Sequence, residues 1–384
     1  MRTRRALQIL GAVLATAAVA LTGCSAAGES TSAAPGEFDA ASYFKGRNIR
    51  VIVSHSAGGG TDLAARDFAA SLGSLLPGNP RVSVTNDSGM GGINNAYSAP
   101  EKDLVIGVTS LGANLFQPLL DPANTYDPKG VKVIAAVTPE PRGALVAGEF
   151  AKTYPKLTDA TGKTGAPVRF AAVVGGPADV ISEAFIAPWV CEQLSLPCTM
   201  VAVAGDSSSD TELMLQRGEI NSNFTAIGAI SRSHNQILTD HSGYVAFSYE
   251  DQDTKISYPD GVTPAPKLVD ILPQSSLDQW KLIQPLVTGG GLGKTFWMGP
   301  SARPEVVDAM RKAWTDFTAD KDLYEKFDKI QTGAVAPGAI TFTSAPIQGA
   351  DAQKLYDAST DTFMSNKDTY ATLQSQLYDK YWKS

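Results

Sequence analysis

The chain has 384 residues, 43% of them hydrophobic, with 32 Lys and Arg against 39 Asp and Glu. That length allows two domains and a large core. Its 35 Gly and 23 Pro are close to ordinary usage, which excludes collagen-like and low-complexity chains. A net charge of −7 with no basic run leaves nothing to neutralise phosphates, so nucleic acid is excluded as a partner.

Arg2, Arg4 and Arg5 open the chain and an apolar stretch runs from Ala6 to Leu21. The stretch is short for a bilayer span and has the flanks of an export signal. It ends in Leu21-Thr22-Gly23-Cys24, which resembles a bacterial lipobox. The expectation is a lipoprotein signal peptide over 1–23 and a lipid on Cys24, with an ordinary export signal or an N-terminal anchor as the alternative. Ser25 to about Ser42 is rich in Ser, Ala and Gly, so a flexible tether is expected over 24–46. The folded part then starts near residue 47 and works outside the cytoplasm, lipid-anchored to the outer face of the cell membrane.

Ile49 to Ser54 is a short apolar run bounded by polar residues, the signature of a buried strand. Gly58-Gly59-Gly60 follows, and then Leu63, Phe68, Leu72 and Leu75 recur at near-helical spacing up to Pro77-Gly78. Further strands are expected at Val82 to Thr85, Leu104 to Thr109 and Val131 to Thr138. After a loop region from Lys152 to Pro167 the pattern restarts. Val168 to Val174 reads as a strand and Gly175-Gly176-Pro177 as a turn. A helix follows with Ile181, Phe185, Trp189 and Val190 on one face. Next come a strand at Met200 to Ala204, a short helix at Thr211 to Arg217 and a strand at Tyr244 to Ser248. Residues 250–293 give no clear element. Pro304 suits the first turn of a helix whose buried face carries Val307, Met310, Trp314 and Phe317. A shorter helix is expected at 320–330, and a last, broken one at 350–382. Alternation of this kind predicts an α/β fold, mostly parallel sheet flanked by helices. Cys191 and Cys198 fall at the end of one helix and the strand after it. Outside the cytoplasm such a pair can form a disulfide, two buried thiols being the alternative.

Three turns carry the candidate chemistry: Ser54-His55-Ser56-Ala57-Gly58-Gly59-Gly60-Thr61-Asp62, Asn86-Asp87-Ser88-Gly89-Met90-Gly91-Gly92, and Gly175-Gly176-Pro177-Ala178-Asp179. Glycine lets a ligand approach the backbone closely. Helix first turns present unpaired N–H groups and a positive dipole end, which together make an anion site. In open α/β sheets such loops lie where ligands bind. No Gly-x-x-x-x-Gly-Lys-Ser/Thr or Gly-x-Gly-x-x-Gly occurs in them, so nucleotide cofactors are not expected. The three histidines, His55, His234 and His241, lack metal-ligand spacing, and there is no Gly-x-Ser-x-Gly elbow. Neither a metal, a cofactor nor an enzymatic activity is therefore expected, although His55 falls where it would line a site.

Val51-Ile52-Val53 through Gly58-Gly59-Gly60-Thr61-Asp62-Leu63-Ala64-Ala65-Arg66 resembles the opening of the tripartite tricarboxylate transporter substrate-binding family, the Bug receptors. Asn86 to Ile93 is similar to that family's second Gly-rich turn, Phe170 to Asp179 to its second-domain turn, and Trp297-Met298-Gly299-Pro300 with Pro304-Glu305-Val306-Val307 to the segment opening its C-terminal helix. The chain departs from the family pattern at Ser54-His55-Ser56, at Glu101-Lys102-Asp103, at Ala204-Gly205-Asp206 and at Thr225.

The resemblance implies a two-lobed, Venus-flytrap periplasmic-binding fold. Lobe one would take 47–140 plus 296–384 and lobe two 141–295. It also implies a small di- or tricarboxylate-like ligand between the lobes, large and small membrane transporter subunits as partners, and a monomer. The implied ligand contacts are Ser56, Gly59, Gly60, Thr61, Asp62, Gly91 and Gly92 from lobe one, to which His55 is added from its own place in the first Gly-rich turn. Lobe two would supply Gly175, Gly176, Ala178, Asp179 and Ser207, with Arg142 as a further candidate. An exported enzyme using His55 or Asp62, a sensory receptor without a transporter and a surface scaffold are the competing readings.

Overall fold

A computed structural model describes residues 38–383, apart from 111, 121–125, 175–178, 204–207, 250–253 and 335–336. Cys24 and the expected signal peptide lie outside the described residues. The folded part begins earlier than residue 47. Helix α1 (Ala40–Phe44) is capped by the Asp39 carboxylate, which accepts from the Ser42 N–H at 3.1 Å, and Phe44 is fully buried. The tether expected to reach residue 46 is corrected accordingly: Tyr43 and Phe44 bury aromatic surface that a flexible linker would leave in water.

Two sheets organise the chain. The first is built from β1 (Asn48–Val53), β2 (Arg81–Asn86), β3 (Leu104–Thr109) and β4 (Lys132–Val137), with α2 (Gly60–Leu75) and α3 (Gly89–Tyr97) in the crossovers. β1 pairs in parallel with β2 and β3, so Val51 lies between Val84 and Ile106. All six residues of β3 are buried, as strands covered on both faces require.

The second sheet has β5 (Arg142–Ala147) at its centre and is followed by α4 (Gly148–Thr153). β6 (Val168–Val173), α5 (Ser182–Gln193), β7 (Cys198–Val203) and α6 (Ser208–Gln216) come next. β8 (Ser222–Ala226) leads into α7 (Ile227–Ala229), a π turn (Ile230–His234) and α8 (Asn235–Thr239), and β9 (Gly243–Tyr249) closes the sheet. β8 and β9 flank β5 antiparallel, while β6 and β7 form a parallel pair. Asn221 ties β6 to the start of β8, accepting from the Arg169 N–H at 2.7 Å and donating to the Pro167 carbonyl at 3.0 Å. A disulfide joins Cys191 on α5 to Cys198 on β7.

Beyond β10 (Ile256–Ser257), α9 (Leu268–Ile271) and α10 (Leu277–Thr288), the chain returns to the first sheet as β11 (Thr295–Met298). β11 inserts antiparallel between β3 and β4. Gly107 is required opposite it, because a methyl group there would lie 2.4 Å from the Trp297 ring. α11 (Pro304–Ala319) and α12 (Lys321–Thr332) cover this sheet. Phe68 of α2 packs edge-on at 5.2 Å against each of Phe296, Trp314 and Phe317. The chain then visits the second sheet's side as β12 (Thr341–Phe342), paired with β10, and comes back as edge strand β13 (Pro346–Gln348) beside β4.

The last helix is not broken. α13 (Gly349–Leu377) runs 29 residues and continues as a π turn through Trp382. It starts against β4 and ends on α5, where Gln374 donates to the Val180 carbonyl at 2.8 Å and the Trp382 indole to the Ala184 carbonyl at 3.0 Å. The end of the chain, expected wholly within lobe one, therefore packs on the second-sheet side. Its buried face, which includes Tyr356, Phe363, Tyr370 and Leu377, is long enough to need partners from both.

Candidate functional site

A cavity of about 620 Å³ lies between the two sheets. One wall is the β1–α2 turn and the start of α3; the other is β5, β6 and β8 with the start of α5. The β1–α2 turn is shaped by two local devices. Gly58 adopts φ +81°, which a side chain would strain, and this turns its N–H onto the Asp62 carboxylate at 2.8 Å. Gly59 is the N-cap of α2 and supplies no side-chain cap. The first-turn N–H groups of α2 therefore remain for a ligand or water at the positive end of a 16-residue helix.

His55, Ser56, Gly59, Gly60 and Thr61 line the cavity, as do Asp179 and Arg142. Asp62, Gly91 and Gly92 are not among its lining residues. Asp62 is almost fully buried behind the turn. It pairs with Arg66 and accepts from Asn86 Nδ2 at 2.9 Å. Burial pushes its carboxyl up, but the hydrogen bonds from Arg66, Gly58 and Asn86 outweigh this and hold it below the ordinary range. Gly92 has a packing role: a methyl group on it would meet the Asp87 carbonyl oxygen and come within 3.3 Å of Ser54 Cα. Gly89 and Met90, one turn earlier, reach the wall instead. Gly175, Gly176, Ala178 and Ser207 lie outside the described residues.

The half-buried His55 ring is set by its neighbours. Its Nδ1 lies 3.3 Å from Ser54 Oγ, which donates to the Val108 carbonyl at 3.1 Å, and its Nε2 lies 3.5 Å from the Asn114 amide. With Ser54 Oγ already donating, Nδ1 carries the proton and Nε2 accepts from Asn114, a tautomer assigned from this network. Burial, then the positive charges of Lys294 and Arg142, push the His55 pKa down to about 4. The ring is neutral at pH 7, which suits a hydrogen-bonding wall group.

Four charged residues of the cavity were not legible in the sequence: Glu140, Glu183, Arg232 and Lys294. Glu140 stands on the crossover after β4 and Lys294 on the crossover before β11, and their side chains pair at 3.0 Å, both buried. Glu140 also accepts from the Gly228 N–H at 3.0 Å. Burial pushes its carboxyl up, but Lys294 and Arg232 overcome this and keep it ionised. Arg232 comes from the π turn. Its guanidinium lies over the start of α2, since a methyl group on Gly60 would be 2.7 Å from Nη2, and Nη1 donates to the Ile330 carbonyl at 3.2 Å. Arg142 pairs with Glu183, and its Nε is enclosed with no hydrogen-bond partner among the described residues. The one local signal for Lys294 was a lysine between a glycine run and an apolar strand.

Among the described residues no group of His, Cys, Asp and Glu could hold a metal ion, and no helix is long and apolar enough to cross a membrane. A neutral imidazole, uncapped amides and cations face the hollow.

An α/β chain whose two sheets face each other across such a hollow has the two-lobed periplasmic-binding fold. Solved structures of that class match it. A TctC solute-binding protein from Polaromonas is 15% identical, with a TM-score of 0.52 over 87% of this chain and 98% of its own. MatC from Rhodopseudomonas palustris, solved with bound malate, is 16% identical, with a TM-score of 0.53 over 85% and 99%. A second R. palustris protein, solved with adipate, is 14% identical, with a TM-score of 0.56 over 85% and 97%. No protein-family model and no curated protein sequence matches the chain. The likeness is one of fold, and it agrees with the resemblance read from the Gly-rich turns.

Proposed function

We propose that this protein is an extracytoplasmic solute-binding receptor for a carboxylate, which it delivers to a tripartite-type membrane transporter. The observation that carries this reading is the uncapped first turn of α2 at the cavity, with the Arg232 guanidinium lying over it. Micromolar affinity corresponds to about −8 kcal/mol. Charge-assisted hydrogen bonds contribute roughly 1.5–3 kcal/mol each and a helix dipole up to about 2 kcal/mol. Four or so such contacts suffice after the ordering costs of closure. The malate and adipate bound by two of the similar structures fit the same chemical class.

The proposal extends to the remaining parts. The signal peptide and the lipid on Cys24 hold the receptor at the outer face of the membrane. Gly175, Gly176, Ala178, Asp179 and Ser207 complete the second wall, large and small membrane subunits receive the ligand, and the receptor turns nothing over. The lobes divide near residues 138–141 and 289–294, where the crossovers lie. Titration calorimetry of the folded, ligand-free protein against carboxylates tests the central claim. At least one should bind at micromolar concentration without being consumed. Heat from none of them, or turnover of one, would refute it.

A further inference from the structure

The number of cations in the cavity that are already committed limits how many carboxylates a ligand can bring. Among the described residues the wall carries Arg142, Arg232 and Lys294 against Glu140, Asp179 and Glu183. Lys294 is neutralised by Glu140 and Arg142 by Glu183. Arg232 has no carboxylate within ion-pair distance among the described residues; it donates to a backbone carbonyl and overlies the uncapped start of α2. A cation beside the positive end of a helix is unfavourable until an anion sits between them. One carboxylate satisfies both. A second would enter an enclosed space whose other cations are paired, and it would pay desolvation without a partner.

The rest of the lining bears on the ligand's body. Ala172, Val174 and Val203 on or beside β6 and β7, Phe224 on β8 and Ile181 before α5 give it apolar surface, with Ser182, Asn223 and Thr225 as polar groups among them. About 620 Å³ is in the range of pockets that enclose drug-sized molecules. A four-carbon diacid would leave much of it to water against apolar side chains.

Resting on the receptor reading above, we propose that the ligand is a monocarboxylate with an extended apolar body. Its carboxylate bridges Arg232 and the first turn of α2, and its body lies on the β6–β8 wall. Arg232 is the residue that sets this specificity.

Matched pairs of one carbon skeleton test it on the wild-type protein: hexanoate against adipate, and benzoate against terephthalate, by calorimetry. The monoacid of at least one pair should bind at least about tenfold more tightly than its diacid. Arg232→Gln should weaken that monoacid about 10- to 100-fold, and Arg232→Lys should weaken it less. The thermal midpoint of each variant is recorded alongside, and the wild-type comparison stands even if a variant fails to fold. Tighter binding of the diacids, or of malate or citrate, would overturn the inference and leave the receptor reading intact. No binding by any carboxylate would overturn both.

Discussion

His55 shows how a side chain's chemistry is decided by what surrounds it. In the unfolded chain the imidazole titrates near its ordinary 6.5, while in the folded protein burial and the cations of Lys294 and Arg142 lower it to about 4. Between those values the unfolded state binds more protons, so stability is full above about pH 6.5 and is lost as the pH falls toward 4. His55→Gln should therefore flatten the dependence of the urea midpoint on pH across that window. His234, also held down by burial, stays in both proteins, so the difference between them reports His55 alone. Equal slopes in wild type and variant would contradict the assignment. Nothing local in Ser54-His55-Ser56 foretold a neutral ring, since Lys294 lies 239 positions away along the chain.

At the scale of elements, the bridge between α5 and β7 closes a short loop, with Cys191 and Cys198 seven positions apart. Chain-entropy reasoning assigns such a loop about 2–3 kcal/mol. Replacing both cysteines by serine should lower the unfolding free energy by that amount in chemical denaturation. An unchanged midpoint would show that packing of Cys191, Leu194 and Leu196 alone fixes the α5–β7 turn. The strands and helices were largely readable because each is a local apolar pattern: β3 occupies Leu104–Thr109 and α11 opens at Pro304, both as the residues indicate. β5, β8 and β11 were not. β5 opens with Arg142, and β8 is Ser222-Asn223-Phe224-Thr225-Ala226, a polar-looking segment buried only because strands and helices from elsewhere cover it.

For the whole molecule the Glu140–Lys294 pair is the decisive link. It joins the two crossovers, and through the Gly228 N–H it reaches the helix that follows β8. The crossovers also share backbone bonds: Gly293 N–H donates to the Val137 carbonyl at 2.8 Å, and Thr138 N–H to Ala345 at 2.9 Å. Glu140→Gln keeps the shape but leaves Lys294 buried without a counter-charge, which should cost about 3–5 kcal/mol. Glu140→Gln with Lys294→Met removes the stranded charge and should regain much of the loss in a double-mutant cycle. A single variant as stable as wild type would mean that Lys294 is neutral or hydrated in the fold. Together with α13, which starts on β4 and ends on α5, these contacts make the relation between the lobes a property of several distant segments.

The Gly-rich turns, and the strands and helices that begin or follow them, were legible in the sequence alone. Each depends on residues within a few positions of one another, where apolar spacing and glycine's backbone freedom act directly. Which of those turns reaches the cavity, and with what charge, was settled only by the tertiary structure. Asp62 and Gly92 belong to the same motifs as Thr61 and Met90, yet they face the protein. Glu140, Arg232 and Lys294 meet at the site from three unconnected stretches. Electrostatic energy depends on distance in space and on burial, and neither quantity exists for a residue until the chain has folded.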